Sequence, residues 1–433
     1  MRLVSTAGHA PESSFREAVV AGLAPDGGLY MPVGLPRLVP DLAQSRPGLA
    51  FDQLAATLAR GLLADEFSGD VIERLTREAL DFPVPTRPLT DRLSLLELFH
   101  GPTLAFKDFG ARFLARFFGH LLAERGESAT ILVATSGDTG SAVAQGFWRV
   151  PGIRVVVLYP AGKVSRFQEA QMATMGGNIT AVRVPGVFDD CQRLVKTAFR
   201  SPALAGLRLS SANSINIGRL LPQCFYYVAS YLAVSAGPSA PITFVVPSGN
   251  LGNLTAGLLA SQMGVPVATF VAASNANDVL PEFLDTGTYR SRPSVPTLSN
   301  AMDVGDPSNF ARLLALCRDA AGMRLALRGE RVSDADTRAA IRDAWRAHGV
   351  VLDPHTAVGY RAATRLLERG ADGPVVVLAT AHPAKFADTI REELGFEPEM
   401  PEAERGWENR ALLAVDLPDT DADTLTELLL SLT

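Results

Sequence analysis

Lys107 stands in the stretch GPTLAFKDFG, Gly101 to Gly110, with Phe106 before it and Phe109 two places after it. A lysine kept for solubility normally has polar neighbours. This one either packs its stem on a core while the ammonium reaches water, or holds an amine in a dry place where a nucleophile is wanted.

Four further segments could meet a ligand. PSGNLGN, Pro247 to Asn253, follows the strand-like ITFVV and precedes a helical pattern. Its glycines let backbone approach a ligand, and a helix N-terminus offers free N–H donors, a combination that suits phosphate. An ordinary strand-to-helix turn with an Asn cap reads equally well. TSGDTGSAVA, Thr135 to Ala144, has the same context; its hydroxyls and N–H groups could hold a carboxylate, with Asp138 as a helix cap. SANSINIGR, Ser211 to Arg219, ends in a single guanidinium, either a planar fork for phosphate or carboxylate or a salt-bridge partner at a helix start. LATAHPAKF places Thr380 at the C-terminal end of a strand, the rim where open α/β sheets bind ligands, and its lone His382 reads as structural.

An apolar lysine, an uncharged phosphate cradle and hydroxyl-rich loops together suggest a cofactor that carries a phosphate and forms an imine. Pyridoxal phosphate fits that description.

The elements that must position these loops are legible as an alternation. From Thr130 the chain runs ILVAT, SAVAQGFW, RVVVLYP, SRFQEAQMATM, ITAVRVP and DDCQRLVKTAF, then ITFVVP, LTAGLLASQMG, VATFVAAS and VVVLATA. This βα order predicts α/β architecture with mostly parallel sheets covered by helices. GPSAP near Gly237 and the stretch around SRPSVPT read as loops. Between Arg219 and Asp278 no residue is charged, although Pro222, Pro238, Pro241, Gly249, Gly252 and Gly264 interrupt the stretch. Those breaks argue against a membrane span and for the buried centre of the larger domain, where an anion must be held by dipoles. The turn-rich GLAPDGGLYMPVGLP and two helical patterns up to EALDFP form an accessory N-terminal region, and the segment beyond Pro401 is an acidic tail.

A chain of 433 residues, 47% hydrophobic and 20% charged, is long enough for two or three domains with a cleft. A net charge of -6 and the lack of a basic, aromatic-interleaved cluster argue against nucleic acid or an anionic membrane as partner and for a small molecule. The N-terminus lacks the apolar core of a secretory signal, which predicts a cytoplasmic protein. Cys191, Cys224 and Cys317 have no metal-ligand spacing and read as buried fillers, so no metal is expected.

HGPTLAFKDFG resembles the coenzyme-lysine segment of threonine synthases. The resemblance continues through GGLYMP, ATSGDTGSAVA, GGNITAV, FDDCQRLVK, SANSINIGRLLPQ, PSGNLGN, LDPHTAVGY and TAHPAKF. It implies the tryptophan synthase β-like fold, fold type II among pyridoxal-phosphate enzymes, with two open parallel-sheet domains and an N-terminal accessory subdomain. The implied division is 1–90 accessory; 91–128 with 207–400 the large coenzyme domain; 129–206 a small mobile domain; 401–433 the tail. The implied reaction is O-phospho-L-homoserine plus water giving L-threonine and phosphate. Lys107 resembles the lysine that binds the coenzyme and moves protons. Gly249, Asn250, Leu251, Gly252 and Asn253 match the loop for the coenzyme phosphate, and Thr380 is the candidate partner of the ring nitrogen. Ser136, Gly137, Asp138 and Thr139 match the loop facing the substrate carboxylate, Asp138 standing where many relatives in the wider superfamily carry Asn. Asn213, Asn216 and Arg219, with Lys163 and Ser165, resemble a pocket for the substrate phosphate. Two alternatives are a phospholyase or dehydratase giving a keto acid with the same coenzyme, and a coenzyme-free metabolite-binding module.

Overall fold

A computed structural model describes residues 1–40, 42, 48–235, 237 and 240–432. Pro238 and Ser239 of the GPSAP segment lie outside the described residues. The chain opens with a small antiparallel sheet in which β1 (Arg2–Ser5) pairs with β2 (Ser13–Ser14) and β3 (Tyr30–Pro32). The Asp26 carboxylate fixes the intervening turn, accepting from Ser5 Oγ and from the N–H groups of His9, Ala10 and Gly28. Two amphipathic helices follow, Phe51–Leu63 and Gly69–Ala79, which pack on each other; the second lies against the Lys107–Arg125 helix and the first against the Gln223–Val234 helix.

Strands β4 (Thr86–Pro88) and β5 (Leu93–Glu97) start a six-stranded sheet that the chain at once leaves. It crosses through the Lys107–Arg125 helix into a second sheet made of β6 (Ala129–Ala134), β7 (Ile153–Pro160), β8 (Ile179–Val184) and β9 (Leu209–Ser210), all parallel. It then returns with β10 (Ile242–Pro247), β11 (Val267–Ser274), β12 (Leu327–Arg331) and β13 (Val375–Ala379), giving the order β12-β11-β10-β13-β5-β4. Only the β4–β5 pairing in that sheet is antiparallel. Strands such as VVVLA and ILVA are buried along their length because helices cover both faces, which is why they read as unbroken apolar runs.

The uncharged stretch after Arg219 supplies the Gln223–Val234 helix, β10, the Gly252–Gln262 helix and most of β11, and it is largely buried. The tail is an integral part of the second sheet. Its β14 (Val415–Asp416) pairs in parallel with β8, and the Ala422–Ser431 helix places Leu425 and Leu429 in the same core as Cys191 and Leu194. All three cysteines are free thiols; Cys191 and Cys224 are buried, while Cys317 is half-buried. Among the described residues no helix is long and apolar enough to cross a membrane, and no group of side chains has the makings of a metal site.

Candidate active site

Lys107 is the first residue of its helix, and the turn before it is held on two sides. Leu104 adopts a positive φ of 58°, a strained conformation for a leucine. The turn is bound to the β13 rim by Phe106 N–H donating to Thr380 O at 2.9 Å and His382 N–H donating to Leu104 O at 3.0 Å. Beneath it, the buried Asp108 carboxylate accepts from Thr103 N–H at 2.8 Å and from Thr103 Oγ1 at 2.6 Å. Burial pushes the Asp108 carboxyl up to about 6, against the pull of the Thr103 bonds. Gly110, one turn on, lets the helix touch the backbone of Arg219: a Cβ there would lie 2.6 Å from Arg219 O.

Asp138 faces Lys107 from the second sheet. The TSGDTG loop is built on Thr135, whose Oγ1 accepts from Gly137 N–H and Gly140 N–H, both at 2.9 Å. Gly137 has φ +139°, which suits glycine alone, and it delivers Asp138 to the first position of the Asp138–Phe147 helix. The Asp138 carboxylate lies 3.6 Å from Lys107 Nζ and 2.9 Å from Lys385 Nζ. Its Oδ1 also accepts from Gln168 Nε2 at 2.9 Å. Burial raises its pKa, but the charges of Lys385, Lys107 and His355 outweigh that and hold it well below the ordinary carboxylate range. Lys107 is shifted down, first by desolvation and then by Lys385 and Arg219, with Asp138 opposing. Ser136 and Thr139 are half-buried, and their hydroxyls make no hydrogen bond among the described residues.

PSGNLGN connects β10 to the Gly252–Gln262 helix, whose first N–H groups have no intrahelical acceptor. Leu251 turns the corner at φ +62°. A Cβ on Gly249 would lie 2.7 Å from Met302 Cα, so only glycine allows this close approach. Asn253 is buried with Oδ1 accepting from Tyr226 and Tyr227 hydroxyls at 2.6 and 2.8 Å, and its Nδ2 has no partner among the described residues. Asn250 is tied down, donating to Ser214 Oγ at 2.7 Å and accepting from Ser308 N–H at 2.6 Å. The orphaned amide donor, the free helix N-terminus and the absence of anionic side chains from the loop fit a phosphate. The Lys107 helix is joined to this loop through Phe109, which packs on Tyr226, the partner of Asn253, and the residues together fit pyridoxal phosphate.

The expected substrate-phosphate pocket is brought together only in part. Arg219 is buried beside the Lys107 helix, donates from Nη1 to Ala212 O at 2.6 Å, and has no partner at Nε among the described residues. Burial pushes it down to about 10, so it remains charged at neutral pH. Asn213 is half-buried and its side chain makes no hydrogen bond among the described residues. Asn216 is a correction: its Nδ2 donates to Val19 O at 2.9 Å and its Oδ1 caps Gly218 N–H at 2.9 Å, so both amide atoms serve the fold. Ser165 likewise caps the Arg166–Ala173 helix through Gln168 N–H, and Lys163 is exposed with no ion pair among the described residues. Thr380 is buried at the rim with its N–H donating to Thr356 Oγ1 at 3.2 Å, and its own hydroxyl makes no hydrogen bond among the described residues. His382 caps the next turn by accepting from Ala384 N–H, and burial lowers its pKa to about 4, which keeps it neutral.

Sequence reasoning missed Lys385. Its ammonium is fully enclosed and donates to Thr103 O at 2.7 Å and Gln171 Oε1 at 3.1 Å besides pairing with Asp138. It also missed Gln168 and Gln171, which extend from one helix toward the cleft, and the buried set of Asp353, His355 and Thr356 behind Thr380.

Fold and site together define a pyridoxal-phosphate-dependent enzyme, and residues 88–381 match the family described as pyridoxal-phosphate dependent enzyme. Residues 2–80 match the threonine synthase N terminus and residues 356–428 the threonine synthase C-terminal family. The chain belongs to the threonine synthases. It is 42% identical to the threonine synthase of Serratia marcescens, over 93% of each chain. The structure of pyridoxal-phosphate-bound threonine synthase from Brucella melitensis superposes with a TM-score of 0.93 at 36% identity, covering 99% of this chain and 98% of that one. The Escherichia coli threonine synthase structure gives 0.90 at 39% identity over the full length of both.

Proposed function

We propose that the substrate is O-phospho-L-homoserine and that the products are L-threonine and phosphate, formed in the cytoplasm. Bound pyridoxal phosphate supplies the electron sink that acidifies the substrate's Cα–H and then its Cβ–H. The observation that carries the reading is the desolvated Lys107 amine set 3.6 Å from Asp138 across the cleft. Burial favours the neutral amine, the form that accepts a proton.

Lys107 takes the Cα proton, passes it to the conjugated system that bound coenzyme would supply, and, neutral again, takes a Cβ proton as the Cγ–O bond to phosphate breaks. It returns that Cβ proton to Cγ; water then adds its hydroxyl at Cβ and yields its remaining proton to the released phosphate, and Lys107 carries the first proton back to Cα. The N–H groups and hydroxyls of Ser136 to Thr139 receive the substrate carboxylate, while Arg219 and Asn213 face its phosphate. Thr380 supplies a neutral hydroxyl to the ring nitrogen. Closure of the second sheet's domain over the first excludes water until the unsaturated carbon skeleton is ready for it.

The test is incubation of the purified holoenzyme with O-phosphohomoserine, with amino-acid analysis and a phosphate assay. Equal amounts of threonine and phosphate are expected. Phosphate accompanied by a keto acid in place of threonine overturns the reading in favour of a phospholyase.

A further inference from the structure

Asp138 has one negative charge and two lysines. Its Oδ1 receives Lys385 Nζ and Gln168 Nε2, each at 2.9 Å, whereas its Oδ2 reaches Lys107 Nζ only at 3.6 Å, beyond a good charge-assisted bond. Lys385 has three donors and three acceptors: Asp138, Gln171 Oε1 and Thr103 O. Its position is therefore fixed from both sides of the cleft. Thr103 belongs to the Lys107 turn, and Asp138 and Gln171 belong to the helices around the second sheet.

We propose that Lys385 is a positioning residue for the Lys107 amine. It takes the Asp138 carboxylate as its own partner and so keeps that carboxylate from holding Lys107 as a tightly paired ammonium.

The reasoning is electrostatic and geometric. A buried carboxylate left with one lysine would draw a proton onto that lysine, because neither charge has water to turn to. Lys107 faces Asp138, Lys385 and Arg219, and two of these three disfavour its charged form. Lys385 pairs directly with Asp138 and also acts on the Asp108 and Glu404 carboxyls, while His382 on its own loop is held neutral, so its charge is balanced without Lys107. The arrangement also accounts for an aspartate in a loop that meets an anionic substrate: its charge is already matched when the substrate arrives.

The proposal rests on Lys107 being the coenzyme's lysine, and its test has a readout apart from turnover. The visible absorbance of coenzyme joined to Lys107 follows the proton on the Lys107 nitrogen, so a pH titration of the holoenzyme spectrum gives a midpoint. Lys385→Met is expected to raise that midpoint by at least about one pH unit, Lys385→Arg to leave it near the starting value, and Asp138→Asn to lower it. An unmoved midpoint in Lys385→Met, or in Asp138→Asn, overturns the proposal. Should Lys385→Met fail to fold or hold coenzyme, Lys385→Gln keeps a donor without the charge and is read in its place. Lys107→Ala separates the two assignments: if it still forms the visible band, the Lys107 reading fails whatever Lys385 does.

Discussion

Arg312 donates from both Nε and Nη2 to the main-chain carbonyl of Tyr30, at 3.2 and 3.1 Å, across 282 residues of sequence. The same buried guanidinium donates to Ser214 O, Ile215 O and Asn309 Oδ1 at 2.9, 2.6 and 2.7 Å. Asn309 in turn donates to Asn250 O at 3.0 Å. One side chain thus joins the N-terminal sheet, the SANSIN loop and the phosphate loop. Among the described residues no carboxylate pairs with it, and burial pushes it down to about 9.

Arg312→Met should therefore leave several buried carbonyls without donors at once. Unpaired buried acceptors cost about 1–3 kcal/mol each, partly offset by removing a desolvated charge, so a net loss of roughly 2–4 kcal/mol is expected. Urea unfolding of the holoenzyme measures it. Coenzyme affinity should fall as well, because the phosphate loop loses its backing; unchanged stability and affinity would show that Arg312 is not the tie.

Gly249 and Gly252 should behave differently although they share a loop. An alanine at 249 brings Cβ to 2.7 Å from Met302 Cα, a backbone atom that cannot step aside, whereas one at 252 comes no nearer than 3.4 Å to a side-chain nitrogen of Asn309. Gly249→Ala should cost about 1–3 kcal/mol of stability. Gly252→Val should keep most of the stability and weaken coenzyme binding, because its side chain fills the space above the helix N-terminus. Melting curves and coenzyme titrations of the two variants give the comparison; similar stability losses in both would make the loop a structural turn only.

Asp108 predicts a pH dependence. Its folded carboxyl titrates near 6, above its ordinary 3.8, so between those values the folded chain binds more protons than the unfolded chain. Stability from this group is full below about pH 4 and is lost as pH rises through 6. Asp108→Asn, which keeps an acceptor and a donor for Thr103, removes that dependence. The stability of the natural chain relative to the variant should decline by up to about 3 kcal/mol between pH 4 and 7, measured by urea unfolding. A flat difference would mean that the carboxyl is not raised.

Much of this site was legible because loops at strand ends advertise themselves. PSGNLGN and TSGDTG each follow a β-branched run and open a helix, and both lie where that context puts them. Lys385 was missed although it satisfies the criterion that selected Lys107: Ala384 and Phe386 frame it as Phe106 and Asp108 do not. Nothing local links it to Asp138, 247 positions earlier by numbering; only the crossing of the chain between two sheets brings them together. Asn216 shows the opposite failure, a polar residue in a promising cluster whose partner, Val19 O, lies in the N-terminal region. The tail gave no signal because β14 is two residues long and is held by β8 and the Cys191 core, both distant in sequence.

Arg219 yields the last prediction. The charge-free stretch after it leaves the coenzyme phosphate to N–H groups and a helix dipole, while Arg219 offers a buried guanidinium with Nε unpartnered, near enough to lower the charge on Lys107. A leaving phosphate needs a formal counter-charge, and a donor already desolvated binds one strongly. Arg219→Met should lower kcat/KM for O-phosphohomoserine at least about tenfold, since charged hydrogen bonds are worth about 1.5–3 kcal/mol each. The holoenzyme spectrum should keep its band, and a carboxylate analogue lacking the phosphate should lose far less affinity. Arg219→Lys tests the geometry: it can keep the bond to Ala212 O and the charge but not the fork, so partial recovery of kcat/KM is expected. Equal losses for substrate and analogue in Arg219→Met would instead assign Arg219 to the amino-acid end, or to holding the Ala212 segment in place.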